Sequence, residues 1–587
     1  MITFTGKVKN NLKGSGALLR FLYLLLTLSL VAGCHEDLVD APVDRLTIRV
    51  ELDESTQSFE VHLVIPSSGI HELWLRDMSR RSDACPGVEY TVARHENANL
   101  SSEKINDLLL TRLTPSRLGS IEISYSVSPV SSLEGISPAM LSECSAILAS
   151  SDNIFADGLA LFLAMRPFDE NGQPFRFGET EIVLGESLRG RSSVFSTGTE
   201  LGEGRWLVER FDDARFALLG VGSWVEASIH SSDPARVAIY HLGDERATIS
   251  TTTEGFAAAV LEAGLRNLSE AFEAGGQVSG YKAYVLESNT TAAQFGSYAG
   301  EARENAQIAL FDASITPQRL SLLLLHEAAH TWVPGRLGQY DPASTPIWIG
   351  EGLAEYLAWN EFVGHGVSPS SAIIARLNAA LQNRSVDRTP EILDYDHGVL
   401  AAFLVHVYSD GGLDGDGIAR FVRTLMLSAD EVLTEDRFWS AVESNELRAE
   451  IAAGSTLEQL LPCRIAISGT EFTLAEGLWP TFDTGWSLSE QEPGLISDVR
   501  VDGPAALAGL APGNTLIRHV SGGYGDIHHP IEVLVERDGI TGVVSVMPRG
   551  DTSSEPHFQY VQDVEAVASW AQVSPSTSCL STSEMLQ

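Results

Sequence analysis

Apolar and polar residues alternate along the first part of the chain. The runs 46–52 and 59–65 place apolar side chains at every second position, as in strands with one buried face. Short segments of the same kind continue to about residue 240, separated by Gly, Pro and Ser. The pattern predicts a β-rich, sandwich-like N-terminal domain over residues 46–245.

The hydrophobic period then changes to that of helices. Residues 253–274 carry apolar side chains on one face, strand patterns follow at 281–287 and 306–311, and helical patterns dominate from residue 317 to about 460. Residues 465–550 return to short strands. The chain therefore predicts a multidomain α+β fold. The expected divisions after the N-terminal domain are 246–460 for a mixed domain, 461–550 for a second β domain and 551–587 for a Ser-rich tail, poorly structured in part.

The first 33 residues have the pattern of an export signal. Positive residues precede an apolar run at 21–31, which has the length of a signal-peptide core and is too short to cross a bilayer. Small residues and Cys34 follow, and this arrangement resembles a bacterial lipobox. The resemblance implies cleavage before Cys34 and its lipidation, with a linker over 34–45. An ordinary signal peptide with an incidental cysteine is the alternative.

Lipidation at Cys34 would place the protein in the cell envelope, anchored to a membrane. In the lipoproteins that this segment resembles, Asp after the cysteine favours retention in the inner membrane. His35 stands at that position here. The expected location is therefore the outer membrane, with the folded part of the chain outside the cytoplasm.

Composition narrows the class of function. The 587 residues are too many for one core, and 44% hydrophobic with 20% charged residues is typical of globular proteins. The net charge of −39 repels phosphate backbones, so we expect no nucleic-acid partner. The acidic surface could favour substrates with a free amino group, but solubility is the simpler interpretation.

Four cysteines remain after Cys34. None has a CxxC or other metal-ligand spacing, and an oxidising compartment favours disulfides. Three pairings of four cysteines exist. The expected one joins residues within single predicted regions, Cys85 with Cys144 and Cys463 with Cys579.

The strongest candidate chemistry lies on a predicted helix that begins near Pro317. His326 and His330 are four residues apart, so their imidazoles lie on the same helix face and can bind one zinc ion. Glu327 stands beside them, where it can take a proton from a water that zinc activates. A surface helix with two histidines is the plainer alternative.

A second predicted helix supplies a carboxylate. Glu351 follows His330 by 21 residues, and a carboxylate from a following helix is the third ligand of a His₂Glu zinc site. Glu355 lies one turn later and is expected to accept a hydrogen bond from a ligand histidine. The reverse assignment, with Glu355 as ligand, stays open. The sequence predicts one zinc ion per chain.

These motifs resemble a known family. HEAAHTW at 326–332 and WIGEGLAEY at 348–356 are similar to motifs of the glycyl aminopeptidase family of gluzincin metallopeptidases, and more distantly of the aminopeptidase N-like family. YDHGVL at 395–400 resembles the tyrosine-containing segment of that family. The resemblance implies a thermolysin-like domain with zinc on His326, His330 and Glu351, Glu327 as general base and Tyr395 as oxyanion stabiliser. Without the resemblance, Tyr395 would be interpreted as a packed tyrosine at a helix start.

Two segments depart from the family pattern. Aminopeptidase N-like proteins carry a GxMEN strand that contacts the amino end of the substrate. The nearest segment here ends in Glu304 and Asn305, but its glycine is displaced and Arg303 replaces the methionine. Residues 333–336 also differ from the usual polar stretch. The departures affect the expected aminopeptidase specificity more than hydrolysis.

The second β domain contains a further motif. Residues 493–514 resemble the PDZ pattern, with a short helix that stops at Gly509 and a turn at 512–513. A PDZ groove binds an extended peptide as an added strand, so a C-terminal peptide is a second candidate partner. The alternative is a domain that only packs against the catalytic part.

The combined prediction is a zinc metallopeptidase, specifically an aminopeptidase that acts on peptides outside the cytoplasm. Two alternatives remain. One is a zinc endopeptidase. The other is a catalytically inactive, lipid-anchored scaffold that binds peptides through the PDZ-like domain. The candidate ligands, base and tyrosine all occur in order, which favours catalysis.

Overall fold

The computed structural model describes residues 45–575 apart from several internal segments. The predictions for Cys34, Cys85, Cys144, Cys579 and residues 304–305 concern residues outside the described part. No helix in the described part of the chain is long and apolar enough to cross a membrane. The longer segments that are not described are 77–89, 128–146, 228–237, 243–250, 273–280, 289–297 and 561–571, and shorter ones occur elsewhere.

The N-terminal part consists of three sheets that share one hydrophobic core. The predicted strand pair is present: β1 and β2 run antiparallel, with Val50 opposite Val61 and both side chains buried. The elements are β1 (Leu46–Asp53), β2 (Ser58–Pro66), β3 (Glu72–Arg76), β4 (Tyr90–Glu96), β5 (Ala98–Ile105), β6 (Leu108–Pro115), β7 (Ser120–Val127), β8 (Ile147–Ala149), β9 (Asn153–Asp157), α1 (Gly158–Leu161), β10 (Ala164–Phe168), β11 (Thr180–Leu184), β12 (Ser193–Phe195), β13 (Thr199–Glu200), β14 (Arg205–Val208), α2 (Phe211–Arg215) and β15 (Leu218–Gly222).

The sheets of this part have the orders β13-β14-β11-β1-β2-β7-β4, β10-β3-β6-β5 and β12-β15-β9-β8. The long sheet is mostly antiparallel, and β1 pairs with β11 in parallel. Alternate side chains of β1 are buried, as the period-two pattern requires. This β-rich part precedes the helices that carry the candidate site.

The middle part combines one sheet with a group of helices. The sheet has the order β16-β17-β18-β20-β19, so β19 is an edge strand, antiparallel to β20. The elements are β16 (Trp224–Ala227), β17 (Ala238–Leu242), α3 (Thr251–Phe272), β18 (Lys282–Ser288), β19 (Tyr298–Arg303), β20 (Ala306–Asp312), α4 (Pro317–Ala329), α5 (Ile347–Gly364), α6 (Ser371–Ser385), α7 (Pro390–Val407), α8 (Gly417–Met426), α9 (Glu435–Ser440), α10 (Asn445–Ala452) and a 3-10 helix (Leu457–Leu460).

The boundary that we placed at residue 245 divides this sheet. Strands β16 and β17 precede that residue, but β17 pairs in parallel with β18 of the middle part. Their alternating pattern is the same as that of the N-terminal strands, so the sequence gives no local sign of the sheet to which they belong. The sheet of the middle part therefore begins at Trp224.

The C-terminal part is built around one long strand, β22 (Thr470–Phe482). Its Phe472 and Leu474 pack in the hydrophobic core of the helices. Ala475 and Phe482 pack in a second, smaller core formed by residues between Ala475 and Val546. The other elements are β21 (Arg464–Ile467), β23 (Trp486–Leu488), β24 (Ile496–Val499), α11 (Pro504–Leu507), β25 (Thr515–Ser521), β26 (Ile531–Arg537), β27 (Ile540–Val546), β28 (Arg549–Ser553), β29 (His557–Tyr560) and β30 (Gln572–Pro575).

Strands β28, β29 and β30 all pair with β22. The described residues of the segment 551–587 thus lie in strands, and the partial lack of structure expected for this segment stays a prediction. The short helix expected in the second β domain is α11, followed by Gly509 and Gly513 with φ of 87° and 88°. Residues with a Cβ atom rarely adopt this left-handed backbone conformation, which explains why glycine stands at both turns.

Candidate metal centre

Helix α4 brings the two candidate histidines to one place. Leu320, Leu323 and Leu324 are buried in the helical core, and Leu325 is buried in a smaller cluster with Val260 and Phe362. These contacts fix the rotation of the helix. His326 lies in the last turn, and His330 follows directly after the helix ends at Ala329. The backbone N–H of His330 still donates to Glu327 O, so the turn continues the helical path. Both imidazoles therefore point to the same side.

Glu351, the fifth residue of α5, completes a three-residue cluster. His326 Nε2 is 3.3 Å from His330 Nε2 and 3.4 Å from Glu351 Oε2, and His330 Nε2 is 3.5 Å from the same oxygen. Tetrahedral zinc with ligand distances of about 2.0–2.1 Å requires ligand atoms about 3.3–3.4 Å apart. Within the described residues, these three side chains form the group that could hold a metal ion. The spacing and the donor set both fit zinc.

The outer nitrogen atoms of the histidines also have neighbours. His330 Nδ1 lies 2.7 Å from Val333 O and donates to it, which leaves Nε2 free to face Glu351. His326 Nδ1 lies 3.3 Å from Glu355 Oε2, but the two atoms do not form a hydrogen bond of good geometry. Glu355 therefore lies beside the outer nitrogen of His326, and its expected role as hydrogen-bond acceptor stays a prediction.

The charges of this cluster act on one another. Burial lowers the pKa of His326, but contacts with Glu351 and Glu355 outweigh it and raise this pKa well above its ordinary value. Burial raises the pKa of Glu351, but the charge of His330 and contacts with both histidines bring it well below its usual range. The pKa of Glu355 falls from 4.5 to about 2, because contacts with His326 and Arg376 outweigh burial. The negative charges of these carboxylates favour the binding of a cation between them, either a proton or a metal ion.

Glu327 lies buried against the edge strand of the sheet, with 5% of its surface exposed. A Cβ atom at Gly300 of β19 would lie 2.3 Å from Glu327 Oε1, so the carboxylate occupies space that only glycine leaves open. The charge of Glu327 raises the pKa of His326, His330 and Tyr395, which places it close to the cluster. A carboxylate beside the ligand atoms can serve as a proton acceptor.

Tyr395 in α7 reaches the same point from a third helix. Its hydroxyl donates to Glu351 Oε2 at 2.6 Å, and its ring stacks on that of His326 with centroids 6.1 Å apart. Burial, and then the charge of Glu351, raise the pKa of Tyr395 well above 10.0, so the hydroxyl keeps its proton. The structure therefore brings a hydrogen-bond donor to the atom nearest both histidines.

Two residues near the site were not anticipated from the sequence. In the sequence, Gly300 is distinguished only by its displacement from the glycine position of the GxMEN pattern. Its contact with Glu327 depends on the pairing of β19 with β20. Arg376 on α6 forms ion pairs with Glu355 and Asp396, yet it lies in an ordinary helical pattern. The long sequence separation of these contacts leaves no local signal.

Of the remaining predicted residues, Cys463 is disulfide-bonded. Its partner lies outside the described residues, so the pairing stays a prediction. The proposed substrate contacts Glu304 and Asn305 follow the last described residue of β19, and the structure describes neither.

Comparison with known proteins identifies the fold. The chain is similar to the crystal structure of an aminopeptidase N family protein from Idiomarina loihiensis, with a TM-score of 0.53 and 14% identity over 88% of this chain and 98% of that one. No protein-family model and no curated protein matches the sequence. The mixed α+β, multidomain fold is thus similar to that of this aminopeptidase N family protein, and at 14% identity the similarity extends to the fold alone.

Two further solved structures are similar at lower scores. An M1 zinc metallopeptidase from Deinococcus radiodurans has a TM-score of 0.42 at 15% identity, over 70% of this chain and 92% of that one. Leukotriene A4 hydrolase from Saccharomyces cerevisiae has a TM-score of 0.41 at 12% identity, over 71% of this chain and 67% of that one.

Proposed function

We propose that this protein is a zinc-dependent metallopeptidase in which His326, His330 and Glu351 bind one zinc ion. The observation that carries the proposal is the spacing of their ligand atoms, 3.3–3.5 Å, which suits a tetrahedral ion. A metal site of three protein ligands leaves a fourth position for water or substrate, the arrangement of catalytic zinc. Glu327 and Tyr395 border the same cluster.

Bound zinc would lower the pKa of a coordinated water and polarise the scissile carbonyl. Glu327 would accept the proton of the attacking water and deliver it to the leaving amine. The Tyr395 hydroxyl would turn from Glu351 Oε2 to the carbonyl oxygen as negative charge develops there. Because its pKa is raised, this hydroxyl remains a donor at neutral pH.

The edge position of β19 supports a peptide as substrate. Among the described strands, β19 pairs with β20 on one side only, and Gly300 on β19 lies against Glu327. An extended peptide can add to such an edge by backbone hydrogen bonds, which would carry its scissile bond past the base. The free edge therefore matches a polypeptide chain better than a compact small molecule.

We propose aminopeptidase activity, with an endopeptidase as the alternative. The solved structure that shares this fold is described as an aminopeptidase N family protein. Glu304 and Asn305 are the proposed contacts for the substrate's amino group. The proposal places the enzyme in the cell envelope, anchored through a lipid at Cys34 in the outer membrane. A PDZ-like domain that binds C-terminal peptides completes the proposal.

A peptide-binding scaffold without catalysis is the second candidate function. The exposed apolar side chains Val501, Leu507 and Ile540 in the PDZ-like region are the observation that favours it. This candidate predicts peptide binding that is unaffected by changes at Glu327. It also predicts that no peptide bond is cleaved.

The test compares the wild type with Glu327→Gln on unblocked and N-acetylated peptides. We expect the wild type to cleave unblocked peptides and the variant to lose about 10²–10⁴-fold in kcat while it keeps zinc. Cleavage of the acetylated peptides would establish an endopeptidase. A zinc-loaded wild type that cleaves neither kind would contradict the peptidase proposal and leave the scaffold.

A further inference from the structure

A partly buried arginine on α6 lies behind the candidate metal site. Arg376 Nε is 3.0 Å from Glu355 Oε1, and its Nη1 is 2.6 Å from Asp396 Oδ1. The side chain of Arg376 is 15% exposed and that of Asp396 only 2%. Buried ion pairs overcome their desolvation only when geometry and hydrogen bonding are favourable. The contacts therefore fix the two carboxylates in specific positions.

One of these carboxylates leads to a candidate zinc ligand. Glu355 Oε1 accepts hydrogen bonds from Arg376 Nε and from Trp359 Nε1, each at 3.0 Å. Glu355 Oε2 lies 3.3 Å from His326 Nδ1. Two donors from different directions prevent rotation of the carboxylate, so its second oxygen stays behind His326. Such carboxylates orient a ligand histidine and raise its basicity.

The other carboxylate leads to the candidate oxyanion donor. Asp396 follows Tyr395 directly in α7, and α6 holds both of its oxygens: Arg376 binds Oδ1, and Asn383 Nδ2 donates to Oδ2 at 2.9 Å. Since Asp396 and Tyr395 are adjacent in one helix, fixing Asp396 fixes the rotation of α7 about its axis. That rotation sets the direction in which the Tyr395 side chain leaves the helix.

We propose that Arg376 is a positioning residue that orients His326 through Glu355 and Tyr395 through Asp396. The inference rests on the proposed zinc peptidase function. Arginine suits this role because its planar guanidinium aims separate N–H groups at two acceptors. A lysine would keep the charge but could not reproduce both directed contacts.

The test uses Arg376→Met and Arg376→Lys, with Arg420→Met as the matched control. Arg420 on α8 also contacts two carboxylates, but these lie at the surface: Asp416 directly precedes α8, and Glu443 lies between α9 and α10. The zinc dissociation constant is measured by competition with a chromogenic chelator. The values of kcat and KM are measured on an unblocked peptide at saturating zinc, after circular dichroism has shown that each variant is folded.

We expect Arg376→Met to bind zinc about 10–100-fold more weakly, as losses of carboxylates behind ligand histidines do. Its kcat should fall while KM changes little, because the contacts orient reacting groups and do not bind substrate. Arg376→Lys should lie between Arg376→Met and the wild type. Arg420→Met should match the wild type in zinc affinity and in kcat.

Wild-type zinc affinity and kcat in folded Arg376→Met would overturn the inference. If Arg376→Met does not fold, Arg376→Lys takes its place, and wild-type values in that variant overturn the inference equally. Measuring zinc affinity separately from kcat distinguishes failure of the peptidase proposal from failure of the proposed role of Arg376. A wild type that binds zinc without cleaving peptides contradicts the peptidase function, while weakened zinc binding in the Arg376 variants still supports the positioning of His326.

Discussion

Replacement of Gly300 by alanine should displace the candidate general base. The added Cβ would lie 2.3, 2.4 and 2.5 Å from Oε1, Cγ and Cδ of Glu327, whereas ordinary contacts are 3.4–4 Å. An overlap of about 1 Å forces one of the two groups to move. All three atoms belong to the Glu327 side chain and none to the backbone, so the carboxylate is the group that moves. The strand and the proposed zinc ligands should stay in place.

The expected effect of Gly300→Ala is that of losing a positioned base, about 10²–10⁴-fold in kcat. At 1.36 kcal/mol per tenfold change, this corresponds to about 3–5 kcal/mol of transition-state stabilisation. Zinc content should remain that of the wild type. The assay is steady-state hydrolysis of an unblocked peptide, with metal content measured on the same sample.

The control is Gly542→Ala on β27, where an added Cβ meets no atom within 4 Å. A double variant adds a sharper comparison. If Gly300→Ala acts through Glu327, then Gly300→Ala with Glu327→Gln should be no slower than Glu327→Gln alone. Wild-type kcat in Gly300→Ala, or independent losses that multiply in the double variant, would refute the reasoning.

Three further outcomes follow from the contacts described above. Tyr395→Phe removes the hydroxyl that donates to Glu351 and should lower kcat about 10²–10³-fold with zinc retained; a kcat equal to the wild type would assign Tyr395 to packing. The pKa of Glu355 is depressed from 4.5 to about 2 in the folded, metal-free protein, so it contributes stability above pH 4.5 that is lost as the pH falls toward 2. This contribution is on the order of 3 kcal/mol, and urea unfolding across that range should show a steeper loss of stability for the wild type than for Glu355→Gln. Asn378 Nδ2 donates to Phe558 O and its Oδ1 accepts from Phe558 N, so Asn378→Leu leaves two buried backbone groups without partners and should lower the free energy of unfolding by about 2–4 kcal/mol; unchanged unfolding would show that β29 does not depend on α6.

Local periodicity was sufficient to predict the core of the candidate site. His326 and His330 share a helix face because of their spacing, and Glu351 lies one turn into the next apolar helix. The buried leucines before His326 then set which way that face points. These three features follow from the geometry of single helices and of one helix pair, so local sequence patterns are enough to predict them.

Other features depend on contacts between distant parts of the chain. Arg376 and Glu355 are 21 residues apart on different helices, and nothing in a helical pattern marks one arginine as buried between carboxylates. The strands β28, β29 and β30 pair with β22, which lies about 70–100 residues earlier in the chain. Their Ser-rich sequence shows no clear strand pattern, so they are not predicted from composition. The same limit applies to β16 and β17, whose alternation does not reveal the sheet that they join.

Equilibrium dialysis at neutral pH against buffered zinc tests the central claim most directly. It is performed on the soluble chain that begins after Cys34, for the wild type and for Glu351→Ala. The proposed site predicts one zinc ion per wild-type chain and a large loss of affinity in Glu351→Ala, with both proteins folded. A wild type that binds no zinc, or a Glu351→Ala variant that binds it as tightly as the wild type, would contradict the proposed site.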